Sequence, residues 1–280
     1  MFFSSDTTHT LTQETTKHSS SGGDWILHHV MDGNYLDFEP LGKIYLPSLQ
    51  LLGMDISITR HVVFLWIVAA VLILTFLFVS KSYKKSLIPH GFTNFIETIV
   101  VFVRDEIVKP TIGHGYEKFL PYLLTAFFFI LFSNFIGLVP FSATVTSNIA
   151  VTASLAGLTF ITTQIGGIMH HGVIGYFKGL IPPGMPIPLL PLIVLVEIFG
   201  LFTKPFALCI RLFANMTAGH VVILSLIGLI FIMKTIYFAP VSIGFALFIY
   251  FLEILVALIQ AYIFTMLSSL FIGMAVHQEH

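Results

Sequence analysis

Between Phe119 and Val276 the chain carries only six charged side chains: Lys178, Glu197, Lys204, Arg211, Lys234 and Glu253. Soluble proteins carry about 25% charged residues, whereas this whole chain carries 10% and is 56% hydrophobic. A water-soluble surface cannot be built from such a stretch. The net charge of −1 and the single cysteine also exclude nucleic-acid-binding, disordered and disulfide-rich secreted classes. The chain reads as an all-α polytopic membrane protein.

The first 60 residues are the polar part. Met1 to Gly23 is rich in Ser and Thr, lacks an apolar core of signal-peptide length, and reads as a flexible tail. His9, His18, His28 and His29 lack the tight spacing of metal ligands, so a solvated loop is the expectation and no metal or cofactor is assigned. Trp25 to Leu52 mixes apolar and turn residues, as a segment along a membrane interface would.

Val62–Val79 is the first uncharged run, just long enough for about 30 Å of hydrocarbon. Lys81, Lys84 and Lys85 follow it, while residues 1–60 hold three Lys/Arg against seven Asp/Glu. The positive-inside rule places the N-terminus outside and the lysines in the cytoplasm. Leu87 to Pro110 repeats Phe92, Ile96, Ile99, Val103 and Ile107 at helical spacing amid polar residues, as an amphipathic helix on the cytoplasmic surface or against a partner would. Phe119–Phe141 and Asn148–Met169 are further spans, the first stopped by Pro140 and the second capped by Ser147 or Asn148. His170 and His171 then fall at a helix end, where a dipole interaction explains them, ahead of a cytoplasmic loop rich in proline. Leu189–Met233 and Val241–Val276 are too long for ordinary spans, about 68 and 54 Å as helices. Each fits either two short spans or one tilted helix, and either way the C-terminus ends in the cytoplasm.

A charge at mid-bilayer costs between about 2.5 and 17 kcal/mol, so Arg211, Glu197, Lys204 and Glu253 are functional candidates. Glu197, Lys204, Arg211 and Asn215 are spaced 7, 7 and 4 apart, within about 40° on a helix. Gly200, Leu208, Ala218 and Gly219 lie on or near that stripe and thin part of it, which lets another helix approach. His220, nine residues from Arg211, is turned about 180° away. Glu253 and Gln260 share a face of the last helix with Ala257 between them. Lys204 beside Pro205 can instead snorkel to water, Glu197 can sit at a hydrated entrance, and Cys209 points away as a small packed residue. An arginine cannot carry protons by titrating, but it attracts a carboxylate and forces it to ionise. Glu253 and His220 titrate, and so suit a proton path.

The run Lys204-Pro205-Phe206-Ala207-Leu208-Cys209-Ile210-Arg211-Leu212-Phe213-Ala214-Asn215-Met216-Thr217-Ala218-Gly219-His220 resembles the signature of subunit a of F-type ATP synthase. Asn134-Phe135-Ile136-Gly137-Leu138-Val139-Pro140, Ser147-Asn148-Ile149-Ala150-Val151-Thr152 and the stretch from Glu253 to Gln260-Ala261-Tyr262-Ile263-Phe264 are similar to other parts of that family, over about residues 60–280. Ala214 departs from it, standing where many relatives have glycine, and the N-terminal region is long.

The resemblance implies five membrane helices plus the surface helix, the last two long and strongly tilted against a rotating ring of c subunits. Residues 1–60 would form an extracytoplasmic segment and 61–280 the membrane domain. Arg211 would be the essential arginine between two aqueous half-channels, with Asn215 and Gln260 as its polar neighbours. His220 and Glu253 would line the outer half-channel, and Glu197, less directly Lys204, the cytoplasmic exit. Asn148 is explained equally by a path and by a helix cap. The expected function is that of a proton-translocating stator without ATP chemistry of its own, held with a b-subunit peripheral stalk in a bacterial inner membrane. The rival is a self-contained secondary transporter centred on Arg211, which usually shows internal repeats; none is visible here.

Overall fold

The computed structural model describes residues 35–37, 43–45, 50–51, 54–55, 59–85, 88, 90–139, 142–179, 190–233, 237 and 239–277. The N-terminal tail with its first histidines, the loop prolines 182–188, Pro140 and Lys234 lie outside them. Two small antiparallel hairpins precede the helices, β1 (Tyr35–Asp37) with β2 (Lys43–Tyr45), and β3 (Gln50–Leu51) with β4 (Met54–Asp55). The first three strands fall within the stretch Trp25 to Leu52 that the sequence suggested only as interfacial, and β4 lies just beyond it.

Everything described beyond them is helical or a connection between helices. Five helices are long and apolar enough to cross a membrane: α1 (Arg60–Lys85), α4 (Leu120–Gly137), α5 (Ile149–Gly179), α6 (Leu190–Met233) and α7 (Ala239–Val276). Between α1 and α4 lie α2 (Phe92–Phe102), a π-helical turn at Val103–Val108 and the short α3 (Lys109–Ile112). The ambiguity over the two long segments is resolved: each is one continuous helix. At 1.5 Å per residue α6 and α7 are about 66 and 57 Å long, roughly twice the hydrocarbon thickness, so a helix confined to the bilayer must run obliquely. Pro205 lies inside α6, where it removes one backbone hydrogen bond.

The surface helix docks on its own chain. Ile96, Val103 and Ile107 are buried as their spacing suggests, but Phe92 is exposed. The π turn shifts the apolar face, so Val108 and Ile112 are buried too. Thr111 shares a short hydrogen bond with Ser269 of α7, and its carbonyl lies where a Cβ at Gly273 would stand. Glycine is therefore what lets α3 approach the last helix. At the polar edge, Arg104 donates hydrogen bonds of 2.9 and 2.8 Å to the Asp105 carboxylate, which hold that carboxyl below its ordinary value.

The core joins α4, α5, α6 and α7 through Phe128, Ile130, Ala156, Leu208, Leu212, Phe264 and Ile272. The α5 helix continues past the expected end at Met169 to Gly179, broken at Gly172, whose φ of 70° suits glycine. His171 consequently serves another helix than its own: its Nε2 lies 2.9 Å from the Val276 carbonyl at the end of α7. A carbonyl only accepts, so the imidazole donates to a helix C-terminus, the favourable dipole arrangement.

Candidate proton-path site

Three contacts fix how α6 and α7 lie together. Asn215 Nδ2 donates to Gln260 Oε1 at 2.8 Å, Gly219 lies against the Glu253 carboxyl, and Lys204 Nζ stands 5.6 Å from the centroid of the Phe271 ring. Partner numbers fall on α7 as they rise on α6, so the two helices are antiparallel. Small side chains make the fit possible. A Cβ on Gly219 would overlap the Glu253 carboxyl, and Ala257 and Ala261 of α7 are fully buried.

Arg211 occupies the midpoint of α6. Its side chain is exposed on the surface of the chain, and among the described residues it has no hydrogen-bond or ion-pair partner. Ala207, Ala214, Asn215 and Ala218 are exposed with it. This outward face carries one fixed positive charge on a strip of small residues. Leu208 is a correction to the expected stripe: it is buried in the core, because three residues turn a helix about 60° short of a full circle and the core boundary falls in that gap. Cys209 is buried beside Thr152, with Sγ and Oγ1 3.5 Å apart.

On one side of Arg211, Asn215 leads to the α7 stripe. Gln260 and Glu253 are buried, Glu253 only 7% exposed, and neither Glu253 carboxyl oxygen has a hydrogen-bond partner among the described residues. A buried carboxyl without partners is costly to keep and calls for an explanation beyond packing. His220 faces the chain's interior and shares a hydrogen bond with Thr144, in the connection between α4 and α5. On the other side of Arg211, Glu197 and Lys204 are half-buried. They form no ion pair with each other, and Lys204 instead caps the Phe271 ring, a cation–π contact. Asn148 Oδ1 accepts from the Ala150 amide at 2.9 Å, a cap at the start of α5.

Two polar groups were not among the site candidates read from the sequence. Asn134, fully buried in α4, accepts a 2.7 Å bond from Thr146 and reaches the Ala257 carbonyl at 3.5 Å. An amide inside the apolar run of α4 was a visible signal, yet its partners were not. Thr144 gave no signal, being one hydroxyl among several in a connector. No group of three or more His, Cys, Asp or Glu side chains among the described residues is arranged to hold a metal ion.

Residues 62–273 match the family model described as ATP synthase A chain. The chain belongs to that family. It is 58% identical to ATP synthase subunit a of Chloroherpeton thalassium over 259 residues, which cover 91% of this chain and 77% of the relative. It is 52% identical to ATP synthase subunit a 2 of Prosthecochloris aestuarii over 265 residues, covering 93% and 82%. Against ATP synthase subunit a of Anaeromyxobacter dehalogenans the identity is 47% over 273 residues, covering 91% and 71%. This family is the proton-translocating stator subunit of the Fo membrane sector, and membership does not favour the self-contained transporter. The long apolar helices and the relatives together make the chain a multi-pass membrane protein of the bacterial ATP synthase type.

Proposed function

We propose that the chain carries protons through Fo by offering two half-channels separated by Arg211, and that it performs no ATP chemistry itself. The observation that carries this reading is the exposed, partnerless guanidinium at the midpoint of α6. Lipid does not tolerate such a charge cheaply, so the face around it requires a partner bearing a carboxylate within the membrane. A ring of c subunits meets that requirement, and the small residues beside Arg211 allow its helices to come close.

The polar groups divide on either side of the arginine. His220 lies nine residues, about 13.5 Å along the axis, towards one end of α6, with Glu253 at Gly219 beside it. Glu197 lies fourteen residues, about 21 Å, towards the other end. An incoming proton passes by His220 and Glu253 to the ring carboxylate. After nearly a full turn of the ring, that carboxyl meets Arg211, ionises, and releases its proton along the Glu197 side. Arg211 cannot lose its own proton, so it blocks a direct leak between the two paths. The bonded pair Asn215–Gln260 lies one turn from Arg211, placing an amide dipole between the gate and the inlet.

Each charge crossing 100 mV releases about 2.3 kcal/mol, so several protons must pass per ATP. In this reading residues 1–60 are extracytoplasmic and 61–280 form the membrane domain. The C-terminus is cytoplasmic, the membrane is the bacterial inner membrane, and a b-subunit peripheral stalk holds the chain still.

The test is ATP-driven proton uptake by inverted vesicles carrying the whole complex, comparing wild type with Arg211→Ala at matched assembly. Pumping should be lost, and vesicles stripped of the catalytic head should leak protons faster. Normal pumping in the assembled variant would refute the gate.

A further inference from the structure

We infer that Thr144 is the positioning residue for His220, fixing its imidazole as the tautomer protonated on Nε2 and leaving Nδ1 as the nitrogen that accepts and releases the travelling proton. The inference rests on the reading of His220 as part of the inlet. Thr144 lies on the connector between α4 and α5, away from the two helices that carry the other candidates, and is 3% exposed. Its Oγ1 bonds to His220 Nε2.

The direction of that bond follows from the second partner. Thr144 Oγ1 also reaches the Gly137 carbonyl at 3.4 Å. A carbonyl can only accept, so the hydroxyl hydrogen goes to Gly137 and the hydroxyl oxygen accepts from an N–H of His220. Nε2 therefore bears hydrogen in the neutral ring, and Nδ1 holds the free lone pair. An incoming proton adds at Nδ1 to give the imidazolium, and loss of the same proton restores the starting tautomer. No ring flip is needed between cycles. With the opposite tautomer, Nε2 would be the basic nitrogen and would face a hydroxyl in place of the path.

The seat is built for this contact. A Cβ at Gly137 would overlap the Oγ1, Cγ2 and Cβ atoms of Thr144, so glycine there makes room for the side chain. The connector is held on every side. Ser142 Oγ lies 2.6 and 2.7 Å from the Ile136 and Val139 carbonyls, which share its one hydroxyl hydrogen, Ser147 Oγ donates to the Thr144 carbonyl at 2.8 Å, and Thr146 is tied to buried Asn134. Val145 is buried against Phe64 and Val68 of α1. A partner fixed this firmly orients the imidazole without having to be ordered at each cycle.

The experiment measures ATP-driven proton uptake by inverted vesicles with the intact complex, normalised to assembled complex, for Thr144→Val, Thr144→Ser, His220→Ala and the double variant. Valine keeps the shape and removes the hydroxyl. It should lower the rate by about fivefold, the worth of one ordinary hydrogen bond, and serine should restore most of the loss. In the His220→Ala background, Thr144→Val should cause no further loss, which a merely structural role would not reproduce. An equal loss in both backgrounds would overturn the inference, as would a normal rate in Thr144→Val while His220→Ala is impaired. A normal rate in His220→Ala would instead refute the reading of His220 beneath it. If valine prevents assembly, Thr144→Ala is read by the same comparisons.

Discussion

Replacing Gly219 by alanine should separate stability from proton transfer. In an exposed helix interior, Gly→Ala stabilises by about 1 kcal/mol. Here the new methyl would land on the Oε1, Cδ and Cγ atoms of Glu253, all too close for any real contact. Overpacking of this kind costs about 1–3 kcal/mol, so the net destabilisation is between about zero and 2 kcal/mol. Such a change leaves a chain of this size folded. The atoms in the way belong to the end of a side chain, so the helices can keep their register while the carboxyl moves aside. A displacement of about 1 Å can reduce a positioned transfer by about a hundredfold. The expected result is a normal amount of assembled complex with ATP-driven proton uptake reduced by one to two orders of magnitude. Gly157→Ala in α5 is the matched control, because nothing stands within 4 Å of a Cβ built there. Pumping at the wild-type rate in Gly219→Ala, or an equal loss in Gly157→Ala, would refute the argument that the glycine seats Glu253.

Gly273→Ala should act on stability instead: its methyl meets the Thr111 carbonyl, which is backbone and cannot turn aside. A loss of about 1–3 kcal/mol is expected, read as a lower thermal midpoint of the purified complex, and an unchanged midpoint would contradict the tight docking of α3 on α7. Asp105 gives a prediction in pH. Its folded carboxyl titrates below the ordinary value because Arg104 donates to the charged form. The contribution of the pair is therefore present above the unfolded carboxylate pKa and is lost as pH falls through the lower folded value. Arg104→Gln should move the Asp105 titration upward, as followed by infrared spectroscopy of the labelled carboxyl; no movement would remove Arg104 as the cause.

Much of the membrane domain was legible because hydropathy and the helical repeat are local properties. Arg211, Glu253 and Gln260 stood out as polar residues inside apolar runs, and the nine-residue spacing placed His220 on a face opposite Arg211. What it faces was illegible. Thr144 is 76 residues away on an irregular connector, and no periodicity reports on such a segment. The surface helix was legible at Ile96, Val103 and Ile107, but the π turn also buried Val108 and Ile112, a change without a compositional mark. His171 read as a helix-end residue, but the helix end it satisfies belongs to α7, whose position no pattern near residue 171 encodes.

The sequence by itself determined the class of molecule, the membrane segments, and which side chains are too costly to be there without a purpose. The low charge of residues 119–276 leaves no other solvent for them than lipid and protein. Hydropathy left open whether each long segment is one helix or two, the family resemblance implied one, and the structure has one in each case; tertiary structure alone decided which polar groups meet. Asn215 with Gln260, Gly219 with Glu253 and His220 with Thr144 depend on the axial register between helices. Sliding one helix by a turn, about 5.4 Å, changes every such pairing while leaving hydropathy and amphipathicity as they were. Only close packing of particular small and large residues selects one register, and that selection is a property of the assembled bundle.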